Sequence, residues 1–362
     1  IGTNGKGSIT AFLESILCLS NKKIGVTTSP HLFDICERIR INQKNITKKE
    51  FIRLSQKLKN LLKVFDLSPF EFIICCAFKY FDEQKVDLLI LEAGLGGRLD
   101  ATSAHKLRPI IAIGKIGIDH SDYLGDTLEK ITQEKIAVIK KDSFVISCKQ
   151  NHEVELLINK KIKEIKANIL WVDSLSEEWE LGLEGLFQRD NAAVAVGVIK
   201  ILNKLGWDIC KSSIKKGLSL TKWPGRLELV QWNNKNILID SAHNASAAEV
   251  LAKERTSWIN QDQGVYWILG VQKQKDCLSI INCLFKSQDK ILLVPVPNQI
   301  SWKLNEILDK TNIDQEHITE FDDFNLALNF INQLKEWPAC HPVLTGSIFL
   351  VSEFIKSTKL SS

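Results

Sequence analysis

Gly2-Thr3-Asn4-Gly5-Lys6-Gly7-Ser8 is the stretch on which the reading of this chain turns. Glycines alternate there with a lysine and hydroxyl residues, and a helical stripe follows at once. Ile9, Phe12, Leu13, Ile16 and Leu17 keep the spacing of one buried helix face. A glycine-rich turn lets backbone N–H groups converge on an anion without Cβ clashes. The helix that follows adds its positive dipole end. Lys6 adds a full charge, and Thr3 or Ser8 adds a hydroxyl. The stretch reads as a phosphate cradle, with Thr3, Asn4, Gly5, Lys6, Gly7 and Ser8 as candidate nucleotide contacts. The usual P-loop has four residues between its glycines and Ser or Thr directly after Lys; here Gly7 intervenes. The alternative is a glycine turn that merely caps a helix, which has no use for the charge of Lys6. A P-loop is also fed by a strand. The sequence opens at Ile1 and contains no Met, so the expectation is a fragment whose N-terminal strand is missing.

Outward from this loop, composition sets the class. A length of 362 residues suggests two domains. With 44% hydrophobic and 25% charged residues the chain is an ordinary globular one. A net charge of +4 is too small to argue for nucleic acid. No apolar run reaches membrane-spanning length and no signal peptide is visible. The nine cysteines are odd in number and scattered, with no C-x-x-C pair, which argues against a disulfide framework or a thiolate zinc site. A reducing, cytoplasmic location is expected.

Along the chain, short apolar runs alternate with helical patterns. Strands are expected at 23–28, 86–91, 109–114 and 144–147, with helices at 51–62, 70–81 and 191–202. Thr47 to Glu50 reads as a capping box opening the first of these helices. The near-continuous apolar strands suit a parallel sheet covered on both faces. Trp223-Pro224-Gly225-Arg226 reads as a junction, after which the rhythm restarts. Further strands are expected at 236–239, 265–269, 291–294 and 343–344, and Ser246 to Glu249 reads as a second capping box. Domains of 1–222 and 223–362 follow, each a sheet between helices. Polar clusters at Ser29, Glu92, Asp119-His120 and Asp240-His243 stand where an apolar strand has just ended or in the loop soon after, and such strand ends are where these sheets bind ligands. Each cluster has a plainer reading: Glu92 capping a turn, His120 a surface histidine.

Together these stretches resemble the folylpolyglutamate synthase and dihydrofolate synthase family, within the Mur ligase group. The matching residues are 2–8, Thr28-Ser29-Pro30-His31-Leu32, Glu37-Arg38-Ile39, the run 92–102, Asp119-His120, Glu134-Lys135, Gly225-Arg226 and Asp240-Ser241-Ala242-His243-Asn244. The resemblance extends to Leu344-Thr345-Gly346-Ser347 and so covers almost the whole chain. It implies an α/β fold: a Mur-ligase-type ATP-binding domain with a mainly parallel sheet, then a smaller Rossmann-like domain. It implies an ATP-dependent ligase that activates an acid as an acyl phosphate and joins it to the amine of L-glutamate. Dihydropteroate and folates would be the acids, in a bifunctional, monomeric enzyme that uses neither nucleic acid nor membrane.

The resemblance also assigns roles. Lys6 and its loop would bind the β- and γ-phosphates of ATP. Ser29, Glu92 and His120 would hold Mg²⁺. Lys135 would be carbamylated and hold a second Mg²⁺, against the plainer reading of a surface lysine paired with Glu134. Asn191 and Arg226 would reach the nucleotide phosphates, and Asp240 would orient the nucleotide. His243 and Ser347 would meet the glutamate, with Lys6, Lys135 and His243 as the catalytic set. There are departures. Ser103 replaces the usual Asn after Ala-Thr, the Pro-Gly usual after Lys135 is absent, and 269–276 keeps only part of its pattern. The competing readings are a Mur-type cell-wall ligase and a nucleotide-binding scaffold without catalysis.

Overall fold

Apolar runs too short for a buried helix form the strands, as β-branched and leucine residues on a pleated, covered surface should. The computed structural model of the chain describes residues 1–258, 264–311 and 313–360. In chain order the strands are β1 (Ile24–Thr27), β2 (Ile39–Ile41), β3 (Lys44–Asn45), β4 (Leu88–Leu91), β5 (Ile110–Ile113), β6 (Phe144–Cys148), β7 (Asn168–Val172), β8 (Glu228–Trp232), β9 (Lys235–Ile239), β10 (Tyr266–Leu269), β11 (Lys290–Leu293), β12 (Ile318–Glu320) and β13 (Val343–Thr345). The helices are α1 (Lys6–Leu17), α2 (Lys48–Phe65), α3 (Pro69–Gln84), α4 (Ser121–Leu124), α5 (Leu128–Ile136), α6 (His152–Ile165), α7 (Leu186–Lys204), α8 (Lys211–Leu220), α9 (Ala245–Trp258), α10 (Cys277–Leu284), α11 (Leu304–Leu308), α12 (Phe324–Asn332) and α13 (Ile348–Leu360). They fall into two units, Ile1–Trp223 and Pro224–Ser362. The first unit thus includes Trp223, because its indole packs against Gly7 and the Arg40 guanidinium.

The first unit holds two ladders. One runs β3-β2-β1-β4, with β1 and β4 parallel and β2 antiparallel to β1. The other is the parallel set β5-β6-β7. Helices α1 and α7 bury Phe12, Ile16, Ala192, Ala195 and Ile199 with Val26 and Ile146. Helix α7 lies close on β6 because Gly197 has no side chain there: a Cβ would stand 2.7 Å from Ile146. On the other faces, Leu54, Ile73 and Phe81 pack with Ile39, and Ile131, Val154 and Ile158 pack with Ile111 and Val145. Both ladders are therefore covered on both sides, as parallel strands require.

No strand lies between β4 and β5 among the described residues. A cavity of about 760 Å³ opens there, lined by both strands and by Leu13, Phe81 and Val198. This divides the expected single sheet in two, and it leaves Leu88–Leu91 half-buried where a fully buried strand was expected. Ile1 still pairs with the free side of β5: its carbonyl accepts from the Gly114 N–H at 2.8 Å.

Helix starts follow local chemistry, with two corrections. Thr47 Oγ1 accepts from the Glu50 N–H at 3.2 Å, but the Glu50 carboxylate turns to Arg53 at 2.9 Å, so only half the expected capping box forms. Helix α9 begins at Ala245, so Ser246 lies inside its first turn. Asn244 Oδ1 takes the capping role, accepting from Ala247 N–H at 2.8 Å, and Glu249 pairs with Lys253 instead.

The second unit is one six-stranded sheet in the order β12-β11-β10-β13-β9-β8. All neighbours are parallel except the edge strand β8, which is antiparallel to β9. Strand β13 returns to fill the slot between β9 and β10. That reversal is the kind of switch point where ligands bind at the carboxyl ends of strands. The fully buried Asp289 carboxylate ties this unit together: it accepts from Arg255 at 2.6 Å, Trp267 Nε1 at 3.0 Å and the N–H groups of Val265 and Lys286 at 2.9 Å.

Candidate active site

The glycine stretch folds as the sequence predicts. Gly5 precedes α1 with φ at 83°, and no side chain caps the helix. Such a φ favours glycine, and a Cβ there would run into Asn191 Oδ1. An uncapped N-terminus of a long helix suits an anion. Thr3 and Asn4 N–H groups donate to the Lys115 carbonyl at 2.8 and 3.0 Å. Thr3 Oγ1 donates to the Gly117 carbonyl at 2.8 Å and accepts from its N–H at 3.0 Å. Thr3 thus pins the loop to the segment after β5 from a buried position. Lys6 Nζ lies over the loop, donating to the carbonyls of Gly2 and Thr3 at 3.0 and 3.1 Å. Asn191 and Ser8 are both buried, and Asn191 Nδ2 donates to Gln188 Oε1 at 2.9 Å.

At the end of β4, Glu92 is buried and Ser29 N–H approaches its Oε2 at 3.4 Å. The glycine run after Glu92 is organised by Asp100, whose Oδ2 accepts from the N–H groups of Gly94 and Leu95 at 2.8 and 2.9 Å. Ser103 Oγ donates to the Gly97 carbonyl at 2.6 Å, so the serine that replaces the family's Asn still holds this run. A Cβ on Gly97 would lie 2.7 Å from the Lys135 carbonyl, which seats the loop on α5.

Lys135 is no surface lysine. It is buried, its Nζ donates to the Gly2 carbonyl at 3.0 Å, and its neighbour Glu134 pairs with Arg98 at 2.9 Å. Burial, and then the charge of Lys6, pull the Lys135 amine down to about 7, with Asp119 and Asp100 opposing. Two lysines thus converge on one carbonyl of the phosphate loop. His120, which leads into α4 with φ at 53°, is exposed, and its Nε2 stands 3.7 Å from the carboxylate of Asp119. Lys6 and Lys135 meet at Gly2, Asn191 closes on Gly5, and Ser29 meets Glu92 within the first unit. The charge of Lys6 at an uncapped helix start, beside a buried acid, fits phosphates carrying a divalent cation.

In the second unit, Arg226, Asp240, His243 and Ser347 gather near the carboxyl ends of β9 and β13. Asp240 accepts from the N–H groups of Leu227 and Ala242 at 2.9 and 2.8 Å. Burial raises its pKa, while Arg226 opposes the shift. Ala242 in turn accepts from Gly346 N–H at 3.0 Å, which draws the Ser347 turn to the His243 turn. His243 Nδ1 is 2.8 Å from the Ser241 carbonyl. Ser347 is buried and its Oγ accepts from Phe349 N–H at 3.2 Å, so its hydroxyl caps the start of α13. Arg226 and His243 are the half-exposed members of this set.

A family model described as the C-terminal domain of dihydrofolate synthetase matches residues 226–357. The chain is 32% identical over 391 residues to the dihydrofolate synthase/folylpolyglutamate synthase of Bacillus subtilis, covering 99% of this chain and 89% of that one. This chain belongs to the dihydrofolate synthase/folylpolyglutamate synthase family. The similarly named Buchnera aphidicola (Schizaphis graminum) protein is 30% identical over 388 residues, or 99% of this chain and 88% of that one. A solved structure of the bifunctional synthase of Yersinia pestis, complexed with AMPPNP and a Mn ion, superposes with a TM-score of 0.86. It is 25% identical, and the match covers 99% of this chain and 87% of that one. Membership in this synthase family sets aside both the cell-wall ligase and the scaffold without catalysis. Among the described residues of the synthase no helix is long and apolar enough to cross a membrane. Asp100 and Asp119 take parts in the site that the sequence alone did not assign to them. A signal for both is present, since each is an acid next to a glycine-rich or histidine-bearing strand end.

Proposed function

We propose that this enzyme joins L-glutamate to dihydropteroate, and to the glutamate tail of folates, through an acyl phosphate made from ATP. It is an ATP-dependent ligase of folate metabolism. The observation that carries the site reading is the convergence of Lys6 and Lys135 on the Gly2 carbonyl, beside an uncapped helix start. Lys6 at that helix start is a preformed field for the γ-phosphoryl oxygens, whose charge shifts as the substrate carboxylate attacks phosphorus and ADP leaves, while Lys135 is held beside it as a buried amine. Lys6 and the N–H groups of the Lys6–Ser8 turn hold the β- and γ-phosphates, and Asn191 fixes the turn at Gly5. The glutamate amine then attacks the acyl carbon, an amide forms, and phosphate departs with the carboxylate oxygen.

Ser29, Glu92 and His120 would hold Mg²⁺, and Lys135 as a carbamate would hold a second ion; these cations supply charge neutralisation on the phosphate oxygens. The buried Lys135 fits that modification, because its neutral amine adds CO₂, releasing one proton and leaving a carboxylate at the end of a long arm. Arg226 reaches the nucleotide, Asp240 holds the turn that carries Arg226, and His243 with the Ser347 turn meets the incoming glutamate. The enzyme works as a monomer in the cytoplasm. The test is phosphate release from ATP with dihydropteroate or tetrahydrofolate as acceptor, each with and without L-glutamate. Release that needs both acid and glutamate supports the reading, and release indifferent to either acid overturns it.

A further inference from the structure

We propose that Arg40 is a positioning residue of the ligase reaction, locking the phosphate-loop helix and the 28–37 segment into one relative placement. The proposal rests on the site reading above, in which the first carries Lys6 and the second carries Ser29.

Arg40 lies on β2 with a relative exposure of 7%. A buried guanidinium is costly unless nearly every donor is used. Here Nε and Nη2 reach the Glu14 carboxylate at 3.0 and 2.7 Å. The remaining group, Nη1, donates to Thr28 Oγ1 at 2.9 Å and to the Glu37 carbonyl at 2.7 Å. A planar fork is the group that can meet these partners at fixed angles; a lysine ammonium cannot.

Each partner leads to the site. Glu14 is buried on α1, about 12 Å along the helix from Lys6 at the usual rise per residue. It also accepts from Gln43 N–H at 3.0 Å, so its carboxylate has no slack. Thr28 immediately precedes Ser29, whose N–H faces Glu92. Glu37 gathers the loop itself: its carboxylate accepts from the N–H groups of Leu32, Phe33 and Asp34 at 2.7, 2.9 and 2.8 Å. Residues 28–37 thus form one body, hung on Arg40 at both ends. Trp223 adds a second tie to the phosphate loop. The Arg40 guanidinium stands 5.4 Å from its indole centroid, and the indole Nε1 would lie 2.7 Å from a Cβ on Gly7. The Glu37-Arg38-Ile39 motif therefore has a physical role. Its first residue shapes the loop, and the arginine after its last residue docks that loop onto α1.

The experiment separates positioning from plain stability. Glu14→Met with Arg40→Met replaces the buried ion pair by apolar side chains, a change that commonly preserves or raises stability. Thr28→Val removes one Nη1 partner and leaves the Glu14–Arg40 pair in place. Thermal midpoints, kcat, KM for ATP and the half-activating Mg²⁺ concentration are measured for each. In the double variant the midpoint stays near that of the unsubstituted enzyme while kcat falls roughly 30- to 100-fold, as expected for a loop misplaced by about an ångström. Thr28→Val lowers kcat by about tenfold and raises the Mg²⁺ requirement, with KM for ATP nearly unchanged. A double variant whose kcat follows its stability back to the unsubstituted value overturns the proposal. If the double variant does not fold, Thr28→Val decides alone, and unchanged kcat and Mg²⁺ requirement overturn the proposal. Lys6→Ala, measured alongside, isolates the site reading: turnover preserved there is a failure of that reading rather than of Arg40's role.

Discussion

Gly5→Ala places the smallest side chain at the most constrained point of the phosphate loop. Gly5 has φ at 83°, and an added Cβ runs into the side-chain oxygen of Asn191. Forcing an L-residue into the left-handed region costs about 1–2 kcal/mol. For a first unit spanning Ile1–Trp223 this lowers the thermal midpoint by roughly 2–8 °C. The catalytic cost is larger, because relief of the clash moves either the N–H groups of the helix start or Asn191. A shift of about an ångström in a positioning loop costs on the order of a hundredfold in rate. The assay is ATP- and glutamate-dependent phosphate release, with a melting curve on the same preparation. Adding Asn191→Ala to Gly5→Ala removes the collision but leaves the backbone strain, so stability recovers in part. Gly5→Ala with turnover within threefold of the unsubstituted enzyme would refute the account of the loop.

Three further outcomes are expected. Glu92→Gln keeps the shape but removes the charge facing Ser29, and raises the Mg²⁺ concentration for half-maximal activity by about tenfold without changing the melting curve; a change in folate affinity alone contradicts the metal role. Asp289→Ala removes the buried carboxylate that accepts from Arg255, Trp267 Nε1 and the Val265 and Lys286 N–H groups, and destabilises the second unit by about 3–5 kcal/mol in urea titration; a loss under 1 kcal/mol contradicts this. Cys210 is the thiol that alkylates first. Hydrogen bonds from the Ser212 and Ser213 hydroxyls, and then from their backbone N–H groups, pull it down to about 7, whereas burial raises Cys18, Cys36, Cys76, Cys148 and Cys340 to about 11. Its thiolate is lost as the pH falls through 7, so its reaction with iodoacetamide slows between pH 8 and 6, and mass mapping that finds another cysteine labelled first refutes the assignment.

Much of this architecture was legible because it is local. The stripe of α1 and the apolar runs at β4, β5 and β6 carry their period in adjacent residues. The same holds for the glycine turn, whose φ requirement is written in Gly5. Strand β8 escaped notice because Glu228–Trp232 alternates half-exposed and exposed residues at a sheet edge. A strand feeding the phosphate loop was expected to be missing, but not that the gap falls between β4 and β5, two strands far apart in sequence. The fate of Lys135 depended on the Gly2 carbonyl, 133 positions away, and only the fold brings the two together. Arg40 shows the same limit: alternating with two isoleucines on a strand it reads as an outward-facing charge, and nothing adjacent tells that Glu14 and Thr28 bury it.

The central claim is acyl-phosphate ligation, and transfer of oxygen tests it most directly. Dihydropteroate carrying ¹⁸O in its carboxylate is turned over with ATP and L-glutamate, and the released phosphate is analysed by mass spectrometry. The account predicts one labelled oxygen in each phosphate released, because the carboxylate oxygen that attacks the γ-phosphorus leaves with it. Phosphate carrying no label, formed at the rate of amide formation, would contradict it.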